Sequence, residues 1–479
     1  MMQLVARQDA SLICNNMAVV HFETLGCRLN QDETEGAAHS FFKSGFETDL
    51  ENVTAKTLQN DQVVLCIVNT CTVTTKAEQK ARRIIRLLLE KFPRSLVIVT
   101  GCYAELDGPE IIKIDPARIC IIRGSQKSLL NEIPSLYNGT SFDMSDVNNF
   151  ISSKSSLSID KFSLFTPVFK KHSRASIKIQ DGCNNECSFC RIHLARGKAQ
   201  SLSPQEILSR VKTMEKEGVS EIVFTGVNLS QYAGKSSDGK TYSFCDLLSY
   251  ILKNTEMVKF RISSFYPQHV TQELAEVLAS DRVQPFFHLS IQSGSDRILS
   301  LMKRPYKMHH VISAVEILRK YKSNPFISCD IIAGFPGETD EDFDQTKALC
   351  SQCHFSWVHA FPYSPRPGTA AYSMKPKIPE RIKDERVQWL NGYACNEKIN
   401  YIKTFAGKTV CAVVEKSRAQ RLSLVSENIY HGVTDNFIHV EFVSEKFIPQ
   451  GSIVSVRIKE PIENNILEGR EIEAKAQLV

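Results

Sequence analysis

Residues 181–190 read DGCNNECSFC and place Cys183, Cys187 and Cys190 in a C-x3-C-x2-C pattern. Three soft thiolate ligands in one short loop can hold three irons of a [4Fe–4S] cluster. The fourth iron then has no protein ligand and stays open to a small molecule. The spacing therefore predicts an iron–sulfur centre with one free coordination position.

Two other interpretations of this loop stay open. Free cysteines are often buried as small hydrophobic residues, although the Asp, Gly, Asn and Glu residues around these three are more typical of a turn. His193 follows Cys190 at a spacing that would complete a Cys3His zinc site. Because no second pair of close ligands is nearby, that one loop would have to supply all four zinc ligands.

A strand-like run followed by a helix-like run occurs six times from residue 173 to 403. Six repeats predict a partial (β/α)6 barrel of parallel strands, and the cysteine loop follows the first strand. Barrels of this kind carry their chemistry at the carboxyl ends of the strands, which is where the loop lies. The predicted strands are 175–180, 221–226, 259–265, 286–293, 326–335 and 356–363.

The residues from 17 to 137 also alternate strands and helices, which predicts an α/β domain with a mostly parallel sheet. Cys27, Cys71 and Cys102 each follow a predicted strand within a few residues, at the edge where such sheets bind ligands. We interpret them as a second three-cysteine cluster site. The alternative is that each is an ordinary buried cysteine, as expected for Cys66, Cys120, Cys245, Cys329, Cys350, Cys353, Cys395 and Cys411.

Three further segments complete the predicted organisation. Residues 1–16 are expected to be an N-terminal extension, and the Ser-, Asn- and Asp-rich stretch 138–172 to be a linker. Residues 404–479 contain short alternating strands with turns at HGVTDN and IPQG, which predicts a small β-barrel of the OB-like kind that often binds oligonucleotides.

Composition indicates a soluble globular protein that stays in the cytoplasm. The chain has 479 residues, 42% hydrophobic and 23% charged, without a signal-peptide pattern or a membrane-spanning run. Its 15 cysteines are expected to be reduced thiols rather than a disulfide framework. The net charge of +5 is compatible with a polyanionic partner such as RNA. Candidate phosphate-binding residues are Arg82, Arg83, Arg86, Lys408, Arg418, Arg421 and Arg457.

Taken together, these motifs resemble the radical S-adenosylmethionine (SAM) methylthiotransferases over nearly the whole chain. The resemblance rests on FETLGCRLNQDETE, VNTCTVTTKAEQKARRIIR, DGCNNECSFCRIHLARGKAQS, TGVNLSQY, LSIQSGSDRILSLMKR, DIIAGFPGETDEDF and FPYSPRPGTAAY. These runs are most similar to the branch that modifies N6-threonylcarbamoyladenosine in tRNA. The resemblance implies an N-terminal methylthiotransferase domain, a central radical SAM barrel and a C-terminal TRAM domain.

The resemblance also implies roles for individual residues. It assigns the radical SAM cluster to Cys183, Cys187 and Cys190 and an auxiliary [4Fe–4S] cluster to Cys27, Cys71 and Cys102. It places the S-adenosyl-L-methionine pocket at Gly226, Asn228, Ser264, Gln292, Gly334 and Gly337. One conflicting feature is RIHLARG after Cys190, where many relatives have a more apolar, proline-containing run.

The implied activity is methylthiolation at C2 of the modified adenosine beside the anticodon, by 5'-deoxyadenosyl radical chemistry with two clusters. Its partners would be a tRNA anticodon stem-loop, an electron donor and a sulfur source, with no membrane. The alternatives are methylthiolation of isopentenyladenosine in tRNA or of a ribosomal-protein aspartate, and a non-catalytic, zinc-containing RNA-binding protein.

Overall fold

The computed structural model describes residues 17–154, 160–169, 174–415 and 428–479. The expected N-terminal extension lies outside the described residues. The chain divides into two compact units, one of residues up to 72 and 76–165, the other of residues 73–75 and 166–479.

The N-terminal unit is a five-stranded parallel sheet with helices on its faces, as predicted. Its strand order is β2-β1-β3-β4-β5, so the three longest strands are neighbours. Two apolar cores lie on opposite faces of this sheet. The strands are β1 Val19–Thr24, β2 Glu47–Asp49, β3 Val63–Thr70, β4 Leu96–Gly101 and β5 Ile119–Ile121, and the helices are α1 Arg28–Lys43, α2 Thr75–Lys91, α3 Cys102–Ile112 and α4 Met144–Ser153.

The stretch predicted as a linker differs from that prediction over much of its length. Helix α4 forms within it, capped by the Asp143 side chain, which accepts hydrogen bonds from two backbone N–H groups. Phe142, Val147 and Leu164 are buried in the core of the N-terminal unit. Met144, Phe150 and Ile151 also pack against this core at helical spacing with Val147, a short apolar pattern that the surrounding Ser, Asn and Asp residues obscure.

The second unit contains the predicted partial barrel of six parallel strands in two three-stranded sheets. The orders are β12-β9-β6 and β13-β14-β15, and a parallel bridge from Phe265 to Leu289 connects them. The barrel strands are β6 Ala175–Lys178, β9 Glu221–Thr225, β12 Lys259–Ile262, β13 Phe286–Gln292, β14 Phe326–Ala333 and β15 Trp357–Pro362. Two short antiparallel strand pairs accompany them: β7 Gln180–Asp181 with β8 Gln200–Ser201, and β10 Gly234–Lys235 with β11 Thr241–Tyr242.

Helices follow the barrel strands in the predicted order, and several begin with a side-chain cap. Ser203, Ser243 and Thr339 each accept a hydrogen bond from the backbone of the following first turn. The helices of this barrel are α5 Ile192–Arg196, α6 Pro204–Lys216, α7 Phe244–Lys253, α8 Gln272–Leu278, α9 Asp296–Leu301, α10 Met308–Tyr321, α11 Asp340–Cys353 and α12 Glu380–Lys403.

The last residues form the predicted small closed β-barrel, in the order β16-β17-β18-β20-β19. The predicted turn at 431–436 is largely strand, because Gly432 and Val433 pair with Val440 and His439 and extend β17 to Thr434. The elements are β16 Thr409–Val414, β17 Asn428–Thr434, β18 His439–Ser444, β19 Ile453–Pro461, α13 Glu463–Leu467 and β20 Ala474–Leu478.

Candidate metal centre

The C-x3-C-x2-C loop connects β7 to α5 and is held at both ends. At its start, Gly182 has a φ of +73°, and a side chain there would lie 2.1 Å from the Lys198 carbonyl oxygen. The Cys183 N–H donates to the Gly197 carbonyl at 3.0 Å. Buried Asp181 accepts from Arg196 at 2.9 Å and from Lys178 at 3.1 Å. These contacts fix the loop backbone before any ligand binds.

Each sulfur of the loop has a nitrogen donor nearby. The Ile192 N–H lies 3.3 Å from the Cys190 sulfur, the Asn228 amide 3.9 Å from the Cys183 sulfur, and an Arg304 guanidinium nitrogen 3.2 Å from the Cys187 sulfur. Burial and the neighbouring thiols raise the pKa of Cys183. They also raise the pKa of Cys190, to about 11. Three neighbouring thiols become thiolates only when positive charge offsets their repulsion, and bound metal supplies that charge.

The zinc alternative requires more compact geometry than the loop has. Zinc–sulfur bonds of about 2.3 Å place tetrahedral ligand atoms about 3.8 Å apart. Among the described residues, a group of three such ligand atoms within 4.8 Å of one another occurs at Glu415, His439 and Glu471, and not at these cysteines. His193 Nδ1 is buried without a hydrogen-bond partner in the described chain. The three loop sulfurs do not all lie within 4.8 Å of one another, which suits a larger inorganic cluster.

Arg304 is a residue of this site that the sequence analysis missed. Besides approaching Cys187, its guanidinium donates to the Tyr266 hydroxyl at 2.8 Å, the Tyr306 hydroxyl at 2.7 Å and the Ser290 carbonyl at 2.9 Å. It also lies over the rings of both tyrosines, 4.2 and 4.9 Å from their centroids. Apart from Tyr306, these partners lie 14 to 117 positions away in the chain, so no local spacing marks the arginine.

The residues predicted for the cofactor pocket lie at the carboxyl ends of barrel strands, the edge that also carries the cysteine loop. The Asn228 backbone N–H donates to the Gln180 side chain at 2.8 Å, and the Asn228 side-chain amide lies 3.9 Å from the Cys183 sulfur. Gln292 ends β13 with a φ of +74°. Gly226 follows β9, Ser264 follows β12, and Gly334 and Gly337 follow β14. The barrel thus gathers the six predicted residues at one edge.

The three N-terminal cysteines also meet at one sheet edge. Cys27 caps α1, Cys71 follows β3, and Cys102 begins α3, after three strands that are adjacent in the sheet. At Gly26, with a φ of +103°, an added Cβ would lie 2.5 Å from Cys71 Cβ and 2.8 Å from its sulfur. The absence of a side chain at Gly26 therefore leaves the space beside the Cys71 sulfur open. Three thiols at the ends of neighbouring strands are suited to an iron–sulfur cluster.

Comparison with known proteins agrees with this geometry. The radical SAM superfamily model matches residues 177–389, and the model of the uncharacterized protein family UPF0004 matches residues 19–122. The threonylcarbamoyladenosine tRNA methylthiotransferase MtaB of Treponema pallidum (strain Nichols) is 38% identical, covering 94% of this chain and 100% of that relative. The MtaB of Bacillus subtilis (strain 168) is 34% identical over 92% of this chain and 94% of its own length.

The chain belongs to the radical SAM methylthiotransferase family. The enzyme class predicted from the sequence is therefore confirmed, and with it the family's cofactors, [4Fe–4S] clusters and S-adenosylmethionine. The solved structure of the radical S-adenosylmethionine methyltransferase TsrM from Kitasatospora setae aligns with a TM-score of 0.53 at 12% identity, over 74% of this chain and 77% of that one. That likeness confirms the fold.

Most of the other cysteines of this methylthiotransferase are packed in its cores. Burial raises the pKa of Cys66, Cys120 and Cys350 to about 12 and that of Cys245 and Cys353 to about 11. Burial likewise raises the pKa of Cys329 and Cys395. Since burial also raises the pKa of Cys190, the difference from the two sheet-edge groups is one of position: most of these thiols are buried in the cores rather than placed after a strand at a sheet edge.

The predicted phosphate-binding residues of the methylthiotransferase are mostly exposed. Arg83 and Arg86 project from α2 into solvent, whereas Arg82 donates to the Tyr103 hydroxyl at 2.7 Å. Lys408 and Arg457 are exposed on the C-terminal barrel. Arg418 and Arg421 lie outside the described residues. In the part of the chain that the structure describes, no helix combines the length and apolar character needed to cross a membrane.

Proposed function

We propose that this enzyme adds a methylthio group to C2 of N6-threonylcarbamoyladenosine beside the anticodon of tRNA. The observation that carries the chemistry is the pair of three-cysteine groups, each at the carboxyl edge of its own parallel sheet. The names and full-length similarity of the MtaB relatives support tRNA and this modified base as the substrate. The reaction consumes sulfur and electrons, so a sulfur source and an electron donor complete the proposed partners.

Residues at the two sheet edges would hold the cofactors. Cys183, Cys187 and Cys190 would ligate one cluster, while Cys27, Cys71 and Cys102 would ligate the other. When bound, the clusters and S-adenosylmethionine supply the one-electron chemistry, sulfur and methyl group that no side chain can provide. The glycines at the edge allow close approach of a bulky ligand to the backbone.

Polar side chains beside the first cluster site would orient S-adenosylmethionine. Asn228 is buried and its side-chain oxygen accepts from the Ser230 N–H at 3.2 Å, so its amide nitrogen points in a fixed direction next to Cys183. Arg304 places a half-buried positive charge at the same edge, where it can attract an anionic group of a ligand as well as a thiolate. Together they would select a small molecule that carries a carboxylate.

One face of the C-terminal barrel is suited to an RNA backbone. In the register of β16, β19 and β20, Arg457 stands between Thr409 and Gln477, and all three side chains are exposed. Lys459 and Lys475 are exposed close by on the same strands. Cations flanked by short hydrogen-bonding side chains bind phosphates without reading sequence. The target base itself, in a single-stranded loop, is easily turned outward into an active site.

The test uses two anticodon stem-loops that differ only in the modification of the target adenosine, one threonylcarbamoylated and one isopentenylated. Reconstituted enzyme should give the 2-methylthio nucleoside from the first substrate alone, as measured by mass spectrometry of digested RNA. The Cys183→Ala, Cys187→Ala, Cys190→Ala triple variant should give none.

Product from the isopentenylated loop would instead assign the enzyme to the activity named for a Bartonella tribocorum relative, tRNA-2-methylthio-N(6)-dimethylallyladenosine synthase. That relative is 29% identical over 94% of this chain and 95% of its own length. A methylthio mass shift on a ribosomal protein, with both RNAs unchanged, would contradict the tRNA proposal altogether.

A further inference from the structure

The turn between β17 and β18 inserts an aromatic ring into the amino end of the catalytic barrel. The Phe437 ring centroid lies 4.3 Å from that of Phe286 and 5.7 Å from that of Phe326, the first residues of β13 and β14. Phe437 has a φ of +64°. A bulky side chain rarely adopts this left-handed conformation, which glycine or asparagine tolerates better. The ring contacts must offset that conformational cost.

Charged side chains surround the same ring. The guanidinium of Arg261 lies 5.4 Å from the centroids of both Phe437 and Phe286, and Lys398 donates to the Phe437 carbonyl at 3.4 Å. Lys398 also lies 4.2 Å from the Phe326 centroid. We call Phe286, Phe326, Arg261 and Lys398 the Phe437 socket. Because cations prefer the faces of aromatic rings, this arrangement is directional, unlike a plain apolar contact.

Arg261 joins the catalytic barrel to the turn through hydrogen bonds. It is only 2% exposed, and it donates to Glu221 at 2.8 and 3.1 Å and to the Thr434 carbonyl at 3.2 Å. On the other side of the socket, Lys398 pairs with Glu473 of the C-terminal barrel at 3.0 Å. Buried ion pairs add little net stability, but they can select one relative arrangement of two surfaces.

The socket is far from the chemistry. It lies at the amino ends of β13 and β14, whereas the cysteine loop and cofactor residues lie at the carboxyl ends. β13 alone is seven residues long, which at about 3.3 Å per residue separates its two ends by roughly 20 Å. Phe437 therefore does not contact the reacting groups, and any influence on the reaction must act through the orientation of the C-terminal barrel.

We propose that Phe437 is a positioning residue that locks the RNA-binding barrel onto the catalytic barrel in one orientation. This inference rests on the proposed function, in which the C-terminal barrel holds tRNA. A bound RNA then presents its target base at a fixed place relative to S-adenosylmethionine. A displacement of about 1 Å in such an arrangement can lower the rate about 100-fold.

The test is Phe437→Gly, because glycine removes the ring while suiting the left-handed backbone. The full-length enzyme is compared with wild type for tRNA affinity, for methylthiolated product and for 5'-deoxyadenosine released per product. We expect tRNA affinity within about twofold of wild type, a kcat for methylthiolation at least tenfold lower, and several-fold more 5'-deoxyadenosine per product. The milder Arg261→Lys variant keeps a charge beside Glu221. It should also raise the amount of 5'-deoxyadenosine released per methylthiolated product.

Leu467→Ala is the matched control, because it shortens an exposed apolar side chain on the same small barrel. It should leave the ratio of 5'-deoxyadenosine to product unchanged. A wild-type ratio in both Phe437→Gly and Arg261→Lys would overturn the positioning role. If both variants instead lose tRNA affinity as well as kcat, the role of Phe437 is merely structural, and the positioning role is again overturned. If wild type itself forms no product on tRNA, the proposed function fails instead.

Discussion

A guanidinium nitrogen of Arg304 lies 3.2 Å from the sulfur of Cys187, although the two residues are 117 positions apart in the chain. The arginine is held there by two tyrosine hydroxyls and a backbone carbonyl, so it cannot easily turn away. A fixed positive charge next to a cluster thiolate stabilises the more negative, reduced state of the cluster. The fold therefore adds an electrostatic component to the proposed cluster site that the cysteine spacing does not reveal.

Replacing Arg304 by Met should lower the reduction potential of the cluster held by Cys183, Cys187 and Cys190. A hydrogen bond to a charged group contributes about 1.5–3 kcal/mol, which corresponds to about 60–130 mV for one electron. The measurement is a potentiometric titration followed by electron paramagnetic resonance. Arg381→Met, at a largely exposed side chain, is the control and should not change the potential. An unchanged potential in Arg304→Met with full iron content would contradict the prediction.

Removing either group of three cysteines should halve the iron content. Wild type reconstituted without air should hold about eight irons per chain, and each triple-alanine variant about four. Iron and acid-labile sulfide analysis measures this directly. Cys411→Ser, at a half-buried thiol outside both groups, should retain about eight irons. Four irons in wild type, or one zinc, would exclude a two-cluster enzyme.

Gly26→Ala should remove the N-terminal cluster by crowding rather than by deleting a ligand. The new methyl group would lie 2.8 Å from the Cys71 sulfur, at a φ of +103°. Gly45→Ala is the matched control, since Gly45 has a φ of +90° and no heavy atom within 4 Å of an added Cβ. Both should lose about 1 kcal/mol of unfolding free energy from backbone strain. Only Gly26→Ala should also lose about half of the iron.

His439 should make the second unit less stable in mild acid. Burial, together with Lys398, Arg174 and Arg261, lowers the pKa of His439 to about 3. Because the unfolded histidine has a pKa near 6.5, it binds a proton below that pH while the folded one does not. This single group should therefore cost about 1.4 kcal/mol of unfolding free energy between pH 7.5 and 5.5.

Chemical denaturation at the two pH values measures this loss. His439→Gln should reduce the pH dependence by about 1.4 kcal/mol, whereas His309→Gln, at an exposed side chain, should leave it intact. The same pH dependence in His439→Gln and wild type would show that the folded histidine titrates normally.

Local sequence patterns predicted the sheet and barrel because their strands are short, apolar and separated by amphipathic helices. The strand predicted at 286–293, for example, differs from β13 by one residue. The patterns failed where an element is short or its pairing is distant. Helix α4 has one short apolar face among many Ser, Asn and Asp residues, and β20 gains its partners, β18 and β19, only when the small barrel closes.

The same limit applies to the site. The cysteines could be found from their spacing and from their places after strands, since parallel topology brings strand ends together. Arg304 and Phe437 could not, because each acquires its role from partners far away in the chain. Phe437 in particular sits in a conformation that its residue type disfavours, so the sequence gives no sign of it.

The buried cysteines determine how the molecule responds to air. Oxidation of a thiol proceeds through its thiolate, and burial keeps Cys66, Cys120 and Cys350 protonated with pKa values of about 12. Oxygen should therefore strip the sheet-edge sites and spare the cores. A preparation that has lost its iron–sulfur clusters would then still be folded. Fresh iron and sulfide should restore its clusters without a refolding step.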